Sequence, residues 1–86
     1  MIVLAEANTS EPPCEDILGE ERRVLGSMVD EGFAIAGYRE ENGTRVILIL
    51  VAASLEEASA RLQALPMVAD GILNFNCMSV LPLRYL

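Results

Sequence analysis

The chain has no histidine and only two cysteines, Cys14 and Cys77, among its 86 residues. Structural zinc sites are usually built from four cysteine and histidine side chains, so this chain cannot supply an ordinary one. Two widely separated cysteines also make no disulfide framework, and we expect both to be reduced core residues. The sequence further lacks a glycine-rich phosphate-binding loop, a Ser-His-Asp set and a cluster of metal ligands. These absences exclude zinc and haem chemistry and predict a protein that works without a cofactor.

Positive charge and long apolar segments are scarce as well. Six basic residues stand against thirteen acidic ones, which gives a formal net charge of −7. Such a surface repels phosphate backbones and anionic lipids, so nucleic acid and membrane surfaces are not expected partners. No apolar run approaches the roughly 18 residues of a membrane span, and the chain starts without a basic, apolar leader. We therefore expect a cytoplasmic protein.

The longest apolar run, residues 46–53, is rich in β-branched side chains. Strand side chains alternate between the two faces of a sheet, so a run without polar residues predicts a central strand that is covered on both faces. Shorter apolar runs predict further strands at residues 2–7, 33–39 and 72–81. The dipeptide Asn42-Gly43 predicts a hairpin between the second and third strands, because both residues tolerate the positive φ of a tight turn.

Two helices are predicted between these strands. The first starts near Cys14, carries apolar residues at helical spacing and ends at Gly32, which accepts the left-handed conformation of a C-terminal cap. The second starts at Ser54, which forms a capping box with Glu57, and it ends where Pro66 interrupts it.

The element order is therefore strand, helix, strand, strand, helix, strand. This order predicts an α+β protein with the ferredoxin-like βαββαβ fold, one domain over residues 1–86 and a four-stranded antiparallel sheet whose first and third strands are central. Two helices can cover only one face of such a sheet. Since 52% of the residues are hydrophobic, we expect the other face to be apolar and to pack against a second copy, which would form a dimeric α/β barrel.

Glu21 breaks the apolar pattern of the first helix. At 100° per residue it falls near the middle of the apolar arc, where a carboxylate facing the sheet loses hydration. Such a group must be ion-paired, hydrogen-bonded or raised in pKa, and a carboxylate of raised proton affinity suits a general base. The alternative is structural: Glu21 bends to the helix rim, or it pairs with Arg22, Arg45 or Arg84.

Three short motifs give the chain a family resemblance: Glu20-Glu21-Arg22 in the first helix, Ala64-Leu65-Pro66 after the second, and Leu81-Pro82-Leu83 after the last strand. Together with the element order, they resemble muconolactone isomerase and its relatives in the dimeric α/β barrel superfamily, and also the YCII-related proteins. The latter commonly carry a histidine where this chain has Glu21, so their acid–base arrangement does not transfer here.

The resemblance implies a cofactor-free isomerase that shifts a double bond in a small unsaturated lactone acid, by removing a proton at one carbon and returning it at another. Glu21 would then be the catalytic proton carrier, and Arg22 would hold a substrate carboxylate. The family also implies homodimers that assemble into larger rings. A non-catalytic module for small-molecule binding or oligomerisation is the alternative, because a fold alone does not determine a function.

Four other polar residues are candidates for substrate binding. Tyr38, next to Arg39, lies at the end of the second predicted strand, where it lines a cleft or belongs to a solvated hairpin end. Asn74 and Asn76 share one face of the last predicted strand and either bind a ligand or satisfy a sheet edge. Arg84 belongs to a C-terminal segment that closes over a partner subunit or stays solvated.

Overall fold

An antiparallel sheet of four strands, with helices on one of its faces, organises the chain. The computed structural model describes residues 1–9, 15–41 and 43–84. In chain order the elements are β1 (Ile2–Asn8), α1 (Glu15–Asp30), β2 (Ala34–Arg39), β3 (Arg45–Val51), α2 (Leu55–Leu62), α3 (Pro66–Ala69) and β4 (Asn76–Val80). Within this part of the chain, no helix has both the length and the apolar character that a membrane crossing requires.

The strands are ordered β2-β3-β1-β4, so the first and third strands lie in the centre and the second and fourth at the edges. All three pairings are antiparallel. In the middle of β1, Ala5 lies opposite Leu48 of β3 on one side and opposite Cys77 of β4 on the other. The predicted ferredoxin-like α+β fold, with its four-stranded antiparallel sheet, is confirmed.

The helix-covered face of the sheet forms the main core. Val3 and Ala5 of β1 are fully buried there, together with Leu50 of β3, and the helices contribute Met28 and Leu62. Burying one such leucine side chain contributes about 2 kcal/mol to the free energy of unfolding. This face therefore supplies most of the apolar burial in the chain.

Among the described residues, no helix covers the opposite face of the sheet, and we call it the open face. Residues of β1 alternate between the two faces, and those on the open face are half-buried or exposed. The strand residues of the open face are Ile2, Leu4, Glu6, Asn8, Ala36, Tyr38, Arg45, Ile47, Ile49, Val51, Asn76, Met78 and Val80. Most of these side chains are apolar, as predicted for this face.

Helix α1 ends in a hydrogen-bonded cap centred on Gly32, whose φ is 80°. The Gly32 N–H donates to the Val29 carbonyl and the Phe33 N–H donates to the Met28 carbonyl, both at 3.0 Å. This is a Schellman motif, in which a left-handed residue reverses the chain without a Cβ clash. Phe33 and Met28 are both buried in the main core, so the cap also directs the chain from α1 into β2. The cap predicted at Gly32 is confirmed.

Helix α2 begins with a side-chain cap at Ser54, as predicted. The Ser54 hydroxyl accepts a hydrogen bond from the Glu57 N–H, and the Glu57 carboxylate accepts one from the Ala53 N–H, both at 3.0 Å. In a capping box the carboxylate would bond the N–H of the cap residue itself. Here it bonds the preceding residue, which ties the end of β3 to the start of α2.

The prediction that Pro66 ends the second helix is wrong. Helix α2 already ends at Leu62, and Pro66 is the first residue of the short helix α3. Proline suits that position because its φ is already helical and because a first-turn N–H has no partner within the helix.

The predicted last strand is too long at its start, because β4 begins only at Asn76. The N–H groups of Ile72 and Leu73 donate to the Met67 carbonyl at 2.8 and 3.0 Å, so this segment closes the end of α3 instead of pairing with β1. Asn74 consequently precedes the strand and does not share a strand face with Asn76, which corrects the prediction for this pair.

Cys14 and the turn residue Asn42 lie outside the described residues. The strands on either side of the turn nevertheless pair as a hairpin requires, and the Glu40 N–H donates to the Arg45 carbonyl at 2.9 Å. Cys77 has a free thiol that is partly buried against the main core, in agreement with the predicted reduced residue.

Candidate functional site

Among the residues that the structure describes, Glu21 is the one charged residue that is buried, with only 8% of its surface exposed. It lies on α1, on the side that faces the sheet, and is more buried than Leu18 and Val24 of the same apolar arc. Val29, by contrast, is 54% exposed although periodicity assigns it to this arc, because it lies near the end of the helix. The helical spacing therefore predicts the buried position of Glu21 correctly, but it does not predict that Val29 is exposed.

The Glu21 carboxylate is held by a backbone group from a distant part of the chain. Its Oε1 accepts a hydrogen bond from the Met67 N–H at 3.0 Å. Met67 follows Pro66 in the first turn of α3, where N–H groups have no acceptor within the helix. Glu21 therefore caps α3 from α1. Both structural alternatives, a carboxylate at the helix rim and an ion pair with arginine, are wrong.

Burial raises the pKa of the Glu21 carboxyl above its ordinary value, because desolvation disfavours the charged form. The hydrogen bond from Met67 acts in the opposite direction and lowers the pKa, but desolvation is the larger effect. Among the described residues, this is the one hydrogen bond of the side chain, and no buried side-chain oxygen lacks a partner. The second carboxylate oxygen is therefore reachable by solvent. One oxygen is anchored while the other is available.

The α1 residues on either side of Glu21 pack into apolar clusters. Along α1, Leu18 packs against a small cluster formed by Ala7, Met67 and Leu73, whereas Leu25 packs against the main core. Glu21 lies between these two positions, at the junction of the two clusters.

No described arginine forms an ion pair with Glu21. The ion pairs join Arg23 to Glu20, Arg45 to Glu6 and Arg61 to Glu31. Arg22, the candidate for holding a substrate carboxylate, is exposed on α1, and Arg84 is exposed beyond β4. Glu21 therefore has no arginine as an ion-pair partner in the described part of the chain.

The remaining predicted site residues do not gather around Glu21. Tyr38 and Asn76 lie on the open face, across the sheet from α1. They belong to one row of the sheet, Tyr38 beside Ile47 and Asn76 beside Glu6, and three strand spacings of about 4.8 Å separate them. Asn74 is exposed before β4. Within a single chain, no ligand can contact Glu21 and the Tyr38–Asn76 row together.

Sequence reasoning missed the partner of Glu21, the Met67 backbone N–H. The signal was present in Leu65-Pro66, because a proline that starts a helix exposes the unpaired N–H groups of the next residues. Periodicity could not show that α1 packs against the first turn of α3. The 46-residue separation makes the contact a product of the tertiary fold.

The sheet order and the helices on one face define a ferredoxin-like protein, and α1 carries its one candidate acid–base group among the described residues. The fold is similar to that in the 3.3 Å crystal structure of muconolactone isomerase, with a TM-score of 0.80 and 12% sequence identity, over 100% of this chain and 94% of the other. At this identity the likeness shows the fold. No protein-family model matches the chain, and no curated protein matches its sequence.

Proposed function

We propose that this protein is a cofactor-independent isomerase, similar to muconolactone isomerase, in which Glu21 moves a proton within a small unsaturated lactone acid. The observation that carries the proposal is the state of Glu21: buried among apolar groups, anchored through one oxygen and raised in pKa. Perturbed carboxylates of this kind are enriched at catalytic sites. The likeness in fold to an isomerase adds support for the reaction class.

The chemistry needs only one group that alternates between base and acid. The ionised Glu21 removes a proton from a carbon next to the substrate double bond, and the electrons of that C–H bond form the new double bond. The electrons of the old double bond move to its far carbon, which takes the proton back from Glu21. A raised pKa lies closer to neutral pH, so the carboxylate accepts a proton more readily and the carboxyl still returns it. Arg22, or an arginine of another subunit, holds the substrate carboxylate.

The test is the turnover of unsaturated lactone acids by the wild-type chain and by Glu21→Gln. The amide keeps an oxygen that accepts from Met67, so the fold is retained while the proton carrier is lost. We expect kcat to fall by roughly 10²–10⁴-fold, the usual contribution of a general acid–base group. Glu20→Gln is the matched control, because Glu20 is exposed and paired with Arg23, and it should keep its activity. Full turnover by Glu21→Gln would remove Glu21 from the reaction.

We also propose that the working unit is a homodimer formed through the open face. Exposed apolar patches beyond a few hundred Å² usually mark interaction sites, and Val51 and Met78 of this face are 46% and 47% exposed. Two stacked open faces would complete a dimeric α/β barrel, and rings would be assembled from such dimers. Light scattering of the purified chain tests this directly, since a single-chain mass at micromolar concentration would contradict it.

A second function is favoured by the bond between Glu21 and Met67. A carboxylate that caps α3 already has a structural role, which is what a non-catalytic binding or oligomerisation module on this fold would need. The same Glu21→Gln experiment separates the two functions. The module predicts no turnover of any lactone acid by the wild type, together with unchanged assembly of the variant.

A further inference from the structure

The backbone between Leu65 and Leu73 closes on itself, and we call this segment the proline loop. Its N–H groups donate to carbonyls of the same loop at 2.8 to 3.1 Å: Val68 and Ala69 to Leu65, Asp70 to Pro66, Gly71 to Val68, and Ile72 and Leu73 to Met67. Gly71, whose φ is 78°, makes the reversal that ends α3. The proline loop is therefore a hydrogen-bonded unit and not an irregular connection.

One N–H of the proline loop donates to a group outside it. Pro66 has no N–H, and the N–H of Met67 donates to Glu21 Oε1 at 3.0 Å. This donor lies on a fixed support, since the Met67 carbonyl accepts from the N–H groups of Ile72 and Leu73. The Met67 and Leu73 side chains are buried in the same small cluster. The loop itself therefore determines where the Glu21 carboxylate is bonded.

The charged groups around Glu21 do not compete with this bond. On the elements packed against it, the nearest charged side chains are exposed: Glu20, Arg22 and Arg23 on α1, Asp70 in the proline loop and Arg39 on the helix-covered side of β2. The Cys77 thiol lies on the same face of the sheet, and burial raises its pKa, so the thiol is neutral at pH 7. Among the described residues, the Met67 N–H is therefore the group that holds the Glu21 carboxylate.

We propose that Met67 is the positioning residue of the proton carrier: its backbone N–H fixes Oε1 of Glu21, so that Oε2 is presented to the substrate and moves the proton. This inference rests on the isomerase function proposed above. The terminal torsion of a free glutamate is broad, whereas a bond to a fixed donor leaves the second oxygen in a defined place. A misplacement of about 1 Å lowers a rate by as much as roughly 10²-fold. Met67 thus acts on the reaction through Glu21.

The test removes the Met67 N–H and keeps every side chain. In a chemically assembled full chain, an ester in place of the amide between Pro66 and Met67 exchanges the N–H for an oxygen that repels Oε1. We expect kcat on the lactone acid to fall by roughly 10–100-fold with KM little changed, because the substrate is still bound. The acidic limb of the pH profile of kcat/KM should move to higher pH, since the lost hydrogen bond lowers the pKa of Glu21 in the wild type.

An ester between Val68 and Ala69 is the matched control. It removes the Ala69 N–H, whose bond to the Leu65 carbonyl lies inside the proline loop, and each ester also weakens one accepting carbonyl, that of Pro66 or that of Val68. The control should lose stability but keep the kcat and the pH profile of the wild type. Wild-type kinetics of the Met67 ester, or equal losses in both esters, would overturn the positioning role alone. A wild type without turnover would overturn the proposed function and this inference together.

NMR of the wild type covers the case in which the Met67 ester does not fold. The Met67 amide resonance should shift with pH at the same midpoint as the side-chain carboxyl carbon of Glu21 and as the acidic limb of kcat/KM, because one group titrates in all three. The Ala69 amide should shift much less, and Glu21→Gln should abolish the shift at Met67. A Met67 amide that stays constant while Glu21 titrates, or a limb with a different midpoint, would contradict the role of Met67.

Discussion

At the scale of single residues, Glu21 shows how one side chain meets two opposed requirements. Burial on the apolar side of α1 desolvates the carboxylate and raises its pKa, while the Met67 N–H donates one hydrogen bond to it. An orphaned buried N–H costs roughly 1–3 kcal/mol, so α3 also depends on this acceptor. The side chain therefore stabilises the contact between α1 and α3 even though its charge is unfavourable there.

We expect the charge of Glu21 to lower stability at neutral pH. Its folded-state pKa is raised above the unfolded value, so the stability it contributes is fully present below the ordinary pKa of about 4.3 and is lost as pH rises through the folded-state pKa. Glu21→Gln removes this dependence. The free energy of unfolding of the variant minus that of the wild type should therefore be largest at pH 7, where the variant is relatively most stable, and should decrease towards pH 4. Urea unfolding across this range measures the difference.

Glu20→Gln again serves as the reference for that titration. This side chain is exposed, and its change should alter the free energy of unfolding by less than about 0.5 kcal/mol at each pH. A relative stability of Glu21→Gln that stays constant from pH 7 to pH 4 would show that the carboxylate is not desolvated in solution.

At the scale of elements, the end of α1 and the start of α2 follow local rules closely. The cap at Gly32 and the serine cap at Ser54 depend on neighbouring residues alone, and both were predictable. Pro66 was not, because the same residue ends one helix or starts the next according to what surrounds it. In this chain the N–H of Met67 finds its acceptor in α1, which favours the start of a helix.

Two glycines, one inside α1 and one in its cap, should respond to alanine in opposite directions. Gly32→Ala places a Cβ on a left-handed residue and should lower the free energy of unfolding by about 1–2 kcal/mol. Gly26→Ala, in the exposed interior of α1 with open space around its Cα, should raise it by about 0.5–1 kcal/mol through helix propensity. Urea unfolding at constant m-value compares both variants. Equal effects of the same sign would contradict the Schellman cap.

At the scale of the whole molecule, the open face is the surface that the described residues of a single chain leave uncovered. Helices α1 and α2 cover the other face, and their residues share one core with the central strands. The strand residues of the open face nearest Ile2 are apolar, so water contacts a continuous hydrophobic surface in the single chain. The homodimer proposed above would cover this surface with the same face of a second copy.

Ile49→Glu should separate the dimer, because it places an uncompensated charge in the middle of these apolar residues. We expect the dissociation constant to rise by roughly a hundredfold, and the melting temperature to lose the dependence on protein concentration that a dimer imposes. Leu55→Glu adds the same charge at an exposed apolar residue of α2, off the open face, and should leave both quantities unchanged. Differential scanning calorimetry at several concentrations checks this. A wild-type melting temperature independent of concentration would count against the dimer.

The order of the strands, their central and edge positions and the direction of Glu21 were all determined by the sequence alone. These features depend on periodicity and on caps, which act over a few residues, and on the rule that apolar runs occupy central strands. Val46 to Val51 in the middle of the sheet and Glu21 on the inner side of α1 are the clearest cases.

Only the tertiary structure decided what Glu21 bonds and where the other polar candidates lie. The Met67 N–H approaches Glu21 because α1 and α3 pack together, and Tyr38 and Asn76 face away from it because strand register assigns them to the open face. Contacts between residues far apart in the chain depend on how the elements dock. That docking is determined by burial summed over the whole core, which no local pattern contains.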